Sequence, residues 1–113
     1  MKLGDLIKAA DQEGREKHVP VIDLVSCPEC GDKAVKITVG KEVPHPNTIE
    51  HYIKWIALFG VKNDVAVHVA TVELEPTFSV PTVAVDANLG DFSGLVAVEY
   101  CNIHGLWESS QSL

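Results

Sequence analysis

The sequence lacks the features that mark several common classes of protein. No run approaches the roughly 20 consecutive apolar residues of a membrane-spanning helix, and the N-terminus has no long apolar core of the signal-peptide kind. Basic residues are few and form no stripe: nine Lys and Arg stand against sixteen Asp and Glu, a formal net charge of −7. These absences argue against a membrane or nucleic-acid partner, and we expect a cytoplasmic protein.

Leucine and methionine are also scarce. Together they number 10, whereas valine, isoleucine and threonine together number 28. Branching at Cβ favours half-buried strands over helices. A chain of 113 residues that is 46% hydrophobic has the size of one domain and buries a core without disulfides. We therefore predict a single all-β domain over residues 1–113.

The hydrophobic pattern predicts a series of short strands after a brief helical start. Apolar residues at helical spacing indicate a short N-terminal helical segment, ended by Gly14. Beyond it the pattern changes to period two, and we expect Gly60 to end the third strand. The predicted strands cover 19–25, 35–39, 51–59, 65–72, 80–85 and 96–100. Many short strands separated by turn residues are typical of a β-sandwich.

Histidine and cysteine are concentrated where a metal site would need them. The chain has five histidines and three cysteines, and an odd cysteine count in a reducing compartment favours metal or redox chemistry over a disulfide framework. Only His68 lies in the interior of a predicted strand, and we interpret it as structural or surface-exposed. The other four lie at or beside turns, where a rigid sheet can aim ligands: His18, His45, His51 and His104.

Cys101 and His104 are close enough in sequence for a thiolate and an imidazole to reach one metal ion. His45 and His51 form a second possible pair, and His18 precedes a predicted strand. Several imidazoles and one thiolate suit a borderline transition metal such as iron or zinc. Four nitrogens and one sulfur exceed the tetrahedral set of a structural zinc site. Five ligands also leave one octahedral position open, as a reactive iron centre requires.

Two other interpretations compete with this one. Cys27, Cys30, Cys101 and His104 together would make a Cys₃His structural zinc module without enzymatic activity. That alternative leaves three histidines unexplained and requires two distant turns to meet. A plain β-sandwich interaction domain, the third interpretation, would make the whole ligand set accidental.

Three motifs, in this order and spacing, resemble those of the superoxide reductases of the one-iron neelaredoxin type, within the desulfoferrodoxin family. They are EKHVP at residues 16–20, KEVPHPNTIEH at 41–51 and CNIHGLWE at 101–108. The resemblance covers nearly the whole chain and implies an immunoglobulin-like β-sandwich. It also implies one-electron reduction of superoxide to hydrogen peroxide at a mononuclear non-haem iron that cycles between Fe²⁺ and Fe³⁺.

The resemblance assigns a role to each site residue. It implies four equatorial imidazoles and an axial thiolate: His18, His45, His51, His104 and Cys101. The glutamate that matches Glu16 can occupy the sixth position after oxidation, and the lysine that matches Lys17 lies near the open face. Because superoxide is an anion and the chain is acidic, we expect Lys17 and the iron to supply local positive charge. The family's usual electron donor is rubredoxin, and its members form dimers or tetramers.

One segment departs from the family pattern. The sequence CPECG at residues 27–31 resembles half of a rubredoxin metal site, but the chain lacks the four-cysteine N-terminal domain of the two-iron desulfoferrodoxins. Cys27 and Cys30 are compatible with a disulfide, with metal binding across a subunit interface, or with free thiols. The sequence leaves these three alternatives open.

Overall fold

The computed structural model describes residues 1–27, 29 and 33–113 of the chain. Within these residues lie two 3₁₀ turns, Leu3–Asp5 and Ala10–Gln12, and seven strands. The strands are β1 (Val21–Ser26), β2 (Lys33–Thr38), β3 (Ile53–Lys62), β4 (Val65–Glu73), β5 (Thr82–Asp86), β6 (Gly94–Cys101) and β7 (Gly105–Ser112). In this part of the chain no helix has the length and apolarity that crossing a membrane requires.

Two antiparallel sheets share one hydrophobic core. The first sheet has the order β1-β2-β5 and the second the order β4-β3-β6-β7. Alternate side chains of β2, led by Val35 and Ile37, pack against Ile56 and Leu58 of β3 and Leu95 of β6. This confirms the predicted all-β, immunoglobulin-like sandwich, and the period-two pattern of β2 is the signal that predicted its buried face.

Strand pairing brings the termini of several strands to the same end of the sandwich. In the larger sheet, Ile53 at the start of β3 pairs with Cys101 at the end of β6, and Cys101 pairs with Gly105 at the start of β7. In the smaller sheet, the start of β1 pairs with the end of β2 through Val21 and Thr38. The loops that carry the histidines leave from these ends.

The prediction that Gly60 ends the third strand is wrong. β3 continues through Gly60 to Lys62, and Gly60 pairs with Val67 on one side and Leu95 on the other. A Cβ atom at this position would lie 2.5 Å from the ring of Phe92. Gly60 therefore makes room for an aromatic ring that packs against the strand, which sequence alone does not distinguish from a stop signal.

The sequence analysis also missed the last strand. β7 pairs with β6 over eight residues although most of its residues after Trp107 are polar. Its weak alternation gave no period-two signal, and pairing with a buried neighbour stabilises it instead.

The predicted N-terminal helical segment takes the form of the two separate 3₁₀ turns. Between them, Lys8 forms an isolated parallel bridge with Trp107 on the outer edge of β7. Leu3 and Leu6 remain exposed, so their helical spacing marks no buried face.

Candidate metal centre

The five predicted ligands come from four different segments of the chain. They meet at the end of the sandwich where β3 begins, β6 ends and β7 begins. They are His18 before β1, His45 and His51 before β3, Cys101 at the end of β6 and His104 in the turn to β7. The positive φ of Gly105, 84°, lets the chain leave that turn directly into β7. The rigid pairing of these strand ends therefore positions residues that lie far apart in sequence.

The four imidazole rings form a closed arrangement that we call the imidazole square. Neighbouring rings meet edge to face all the way round it. Their centroids are 4.9 Å apart for His18 and His45, 4.7 Å for His45 and His51, 5.1 Å for His51 and His104, and 4.9 Å for His104 and His18. The four rings thus lie around one small region of the site.

The thiol of Cys101 lies against this square. Its Sγ is 3.6 Å from His45 Nε2 and 3.9 Å from His104 Nδ1. Between two neighbouring rings of the square, His18 Nε2 is 3.2 Å from His104 Nδ1. Two ligand nitrogens at right angles around one transition metal ion lie about 3 Å apart, so this spacing suits a single ion.

Glu16 also contacts the imidazole square. Its Oε2 lies 3.6 Å from His18 Nε2, 3.5 Å from His51 Nε2 and 3.6 Å from His104 Nδ1. Two sets of ligand atoms fall mutually within 4.8 Å: His18, His51, Cys101 and His104 form one, and Glu16, His18, His45 and His51 form the other. The thiol occurs only in the first set and the carboxylate only in the second, so they meet the square at separate places.

Polar atoms that point into this cluster have no other partner. Among the described residues, Glu16 Oε2 and His51 Nε2 are buried atoms without a hydrogen bond. Buried polar atoms are nearly always satisfied, and an orphaned pair facing each other points to a bound ion or water between them. The donor set therefore fits a metal ion that is bound by nitrogen and sulfur.

Burial favours deprotonated imidazoles at His18 and His45 but a protonated thiol at Cys101. Burial, followed by the nearby His45 and His104, lowers the pKa of His18 to about 4. Burial also lowers the pKa of His45, so both rings stay neutral, as metal ligands must be. Burial raises the pKa of the Cys101 thiol even though backbone N–H groups of His104 and Ile103 oppose that rise. A cation at the site would hold the thiolate form.

Neighbouring groups orient the ligands. His45 Nδ1 lies 2.7 Å from the carbonyl oxygen of Pro46, a contact in which Nδ1–H donates and Nε2 is left free toward the cluster. The backbone N–H of His104 donates to Cys101 Sγ at 3.4 Å. The indole of Trp107 stacks on His18 and so forms a wall of the site beside that ring.

A cleft of about 430 Å³ opens onto the square beside Glu16. Its walls include Lys8, Arg15, His18, His104 and Trp107. Lys17 instead lines a neighbouring cavity of about 480 Å³ with Glu13, Lys41 and Glu42. The sequence analysis missed Lys8, because its contact with β7 joins segments about a hundred residues apart and leaves no local signal.

The structure also bears on two other interpretations, the role of His68 and the zinc alternative. His68 lies exposed on β4, where its Nε2 is 2.8 Å from Thr71 Oγ1. This position agrees with the interpretation of His68 as structural or surface-exposed. The zinc alternative requires Cys30, which lies outside the described residues. The three alternatives for Cys27 and Cys30 therefore also lie outside what the structure describes. Cys101 and His104 lie instead against His18 and His45, ligands that the zinc alternative leaves without a role.

Comparison with known proteins supports one family. The family model described as Desulfoferrodoxin matches residues 10–110. A superoxide reductase of Pyrococcus abyssi is 40% identical, with 98% of each chain covered. The neelaredoxin of Megalodesulfovibrio gigas is 35% identical over 100% of this chain and 98% of its own. A solved superoxide reductase (neelaredoxin) from Ignicoccus hospitalis is 31% identical and superimposes with a TM-score of 0.86, covering 100% of this chain and 98% of its own.

Proposed function

Since the chain belongs to the desulfoferrodoxin family, we propose that it is a superoxide reductase, which reduces superoxide to hydrogen peroxide. We propose that its centre is a mononuclear non-haem iron held by four imidazoles and one thiolate: His18, His45, His51, His104 and Cys101. The observation that carries this proposal is the imidazole square with the buried Cys101 thiol against it. The superoxide reductase names of the relatives support the choice of substrate.

The number and type of donors favour iron over structural zinc. Structural zinc sites are closed and four-coordinate, whereas four imidazoles lie around one region here and the Cys101 sulfur lies against two of them. Mixed imidazole and thiolate sites with an open position suit redox-active iron. When bound, an iron(II) ion supplies the one electron that superoxide needs, and two protons from solvent complete hydrogen peroxide.

Cys101 contributes through its charge and its environment. Its side chain is fully buried at the end of β6, so its thiolate charge acts in a medium of low dielectric constant. The N–H of His104, which donates to the sulfur, limits how much negative charge the sulfur carries. We propose that this balance sets how readily the centre gives up its electron.

Glu16 is the residue that an incoming anion meets. Its side chain is 39% exposed in the cleft, while its Oε2 lies close to three ligand nitrogens. We propose that the Glu16 carboxylate would be a further ligand to the oxidised iron and would help to displace the product. Superoxide must then enter where this carboxylate lies, so Glu16 has to move aside for the substrate.

Lys17 remains a prediction as a second catalytic residue. It is adjacent to Glu16 and His18, and its side chain lines the neighbouring cavity rather than the cleft beside Glu16. For Lys17 to organise the protons that superoxide takes up, the loop at 13–20 would have to turn its side chain toward the site. The resemblance alone supports rubredoxin as the electron donor and assembly as a dimer or tetramer, and we propose both on that basis. The cytoplasmic location stays a prediction from the composition.

Metal analysis and rapid kinetics test the proposal together. The purified chain should contain about one iron per chain, and the oxidised protein should be coloured by charge transfer from the Cys101 thiolate. Mixing the reduced, pale protein with superoxide in a stopped-flow instrument should oxidise it, so that this colour appears at a rate near the encounter limit, roughly 10⁸–10⁹ M⁻¹s⁻¹. A colourless protein that holds zinc, or slow oxidation relative to encounter, would overturn the proposal.

A further inference from the structure

The negative charge of the chain opposes the approach of superoxide, the substrate in the proposed function. Superoxide is a univalent anion, and the chain has a formal net charge of −7. The global field therefore repels the substrate, and rapid reaction requires a local region of opposite sign. Such a region would have to line the cleft beside Glu16, because that cleft leads to His18 and His104.

Two cations and one carboxylate line that cleft. Lys8 and Arg15 are the cations, and Glu16 is the carboxylate. The cations come from the segment before β1, which lies over the edge of β7. The cleft thus has the opposite sign from the chain as a whole, and Lys17, in the neighbouring cavity, is not needed to give it that sign.

Lys8 is held in place by its backbone and by its side chain. Its N–H donates to the carbonyl oxygen of Leu106 at 3.0 Å, and its own carbonyl accepts from the N–H of Glu108 at 2.8 Å. Its Nζ donates to the carbonyl oxygen of His104 at 3.2 Å and lies 5.3 Å from the centre of the Trp107 ring. A flexible lysine is thus fixed beside a proposed ligand, with its ammonium group still open to the cleft.

We infer that Lys8 is the substrate-guiding cation of this centre, supported by Arg15, and that it draws superoxide into the cleft beside Glu16. This inference rests on the proposed function and assigns the guiding charge to a residue outside the family motifs quoted above. No bond forms at Lys8: its charge raises the local concentration of the anion, and its contact with His104 keeps that charge near the iron-binding side chains.

The experiment compares Lys8→Gln with Lys36→Gln in the iron-loaded protein. Lys36 is exposed on β2 in the other sheet, so its removal changes the net charge by the same amount away from the cleft. The measured quantity is the second-order rate constant for superoxide, followed from low ionic strength to about 1 M salt. Bound iron and the thermal unfolding midpoint are measured for each variant, and Lys8→Arg restores the charge.

We expect Lys8→Gln to react about twofold to fivefold more slowly than wild type at low ionic strength. The difference should vanish near 1 M salt, where the screening length is about 3 Å, while bound iron stays unchanged and Lys8→Arg and Lys36→Gln react like wild type. Equal rates for Lys8→Gln and Lys36→Gln would overturn the inference. A loss that persists at high salt would also overturn it, because it would show a purely structural role. If the wild-type iron protein itself fails to react, the proposed function fails first and the inference fails with it.

Discussion

The imidazole of His18 stacks on the indole of Trp107, with ring centroids 4.5 Å apart and planes 12° apart. Both rings are buried, at 4% exposure each. Trp107 thus covers one face of the His18 ring, and His45 and His104 each pack edge to face with that ring. The indole determines the direction in which His18 Nε2 points, although Trp107 itself binds no metal.

This relationship predicts a loss of iron affinity when the indole is replaced. Trp107→Phe keeps an apolar ring but removes part of the stacked surface, so we expect the iron dissociation constant to rise roughly tenfold, as for other groups that orient ligands. Competition with a chelator measures it. Trp55→Phe is the matched control, since Trp55 stacks on Tyr100 at 6.0 Å instead of on a histidine. Equal affinity of the two variants would contradict this role of Trp107.

Removing one ring of the imidazole square should weaken iron binding far more. For His51→Ala we expect a dissociation constant more than about 100-fold higher, because a direct ligand matters more than the groups that orient it. His68→Ala provides the control, since His68 contacts Thr71 on β4 and takes no part in the square. Iron content after dialysis against a weak chelator separates the two. The ligand assignment of His51 is wrong if both variants retain iron equally.

Glu16 should affect the oxidised centre without being needed to bind iron. Its Oε2 lies within 3.6 Å of three ligand nitrogens, yet five other donors are present. We expect Glu16→Ala to keep its iron and to shift the visible absorption maximum of the oxidised protein, because a carboxylate ligand is lost. Absorption spectra of matched samples provide the check. An unchanged maximum would show that the carboxylate does not bind the oxidised iron.

Cys101→Ser should abolish the colour of the oxidised protein. Serine keeps the size of the side chain but removes the sulfur whose thiolate gives the charge-transfer band, and the buried position excludes a replacement ligand from solvent. The imidazole square remains, so the variant should still bind a divalent metal. Retained colour in this variant would mean that the sulfur is not bound to the iron.

The sequence was sufficient to predict the class of fold and five side chains that lie close together in the structure. Alternation at Val35 and Ile37 predicted a strand with one buried face, and both residues lie in the core. The spacing of Cys101 and His104 predicted a turn that presents two donors, and their atoms lie 3.9 Å apart. In each case the signal is local, because a strand face or a tight turn depends on neighbours in sequence.

What could not be predicted depends on contacts between distant segments. Lys8 meets β7 through hydrogen bonds to residues about a hundred positions away, and Gly60 continues a strand because Phe92 packs over it. β7 forms because β6 offers it a partner, although its own residues alternate weakly. The edge-to-face order of the four imidazoles likewise follows from how the strand ends pair.

X-ray absorption at the iron edge of the iron-loaded protein tests most directly whether these side chains share one ion. The account predicts a single sulfur neighbour together with four imidazole nitrogens around iron, and loss of the sulfur contribution in Cys101→Ser. A nearest shell that lacks sulfur, or one with four ligands including more than one sulfur, would contradict it.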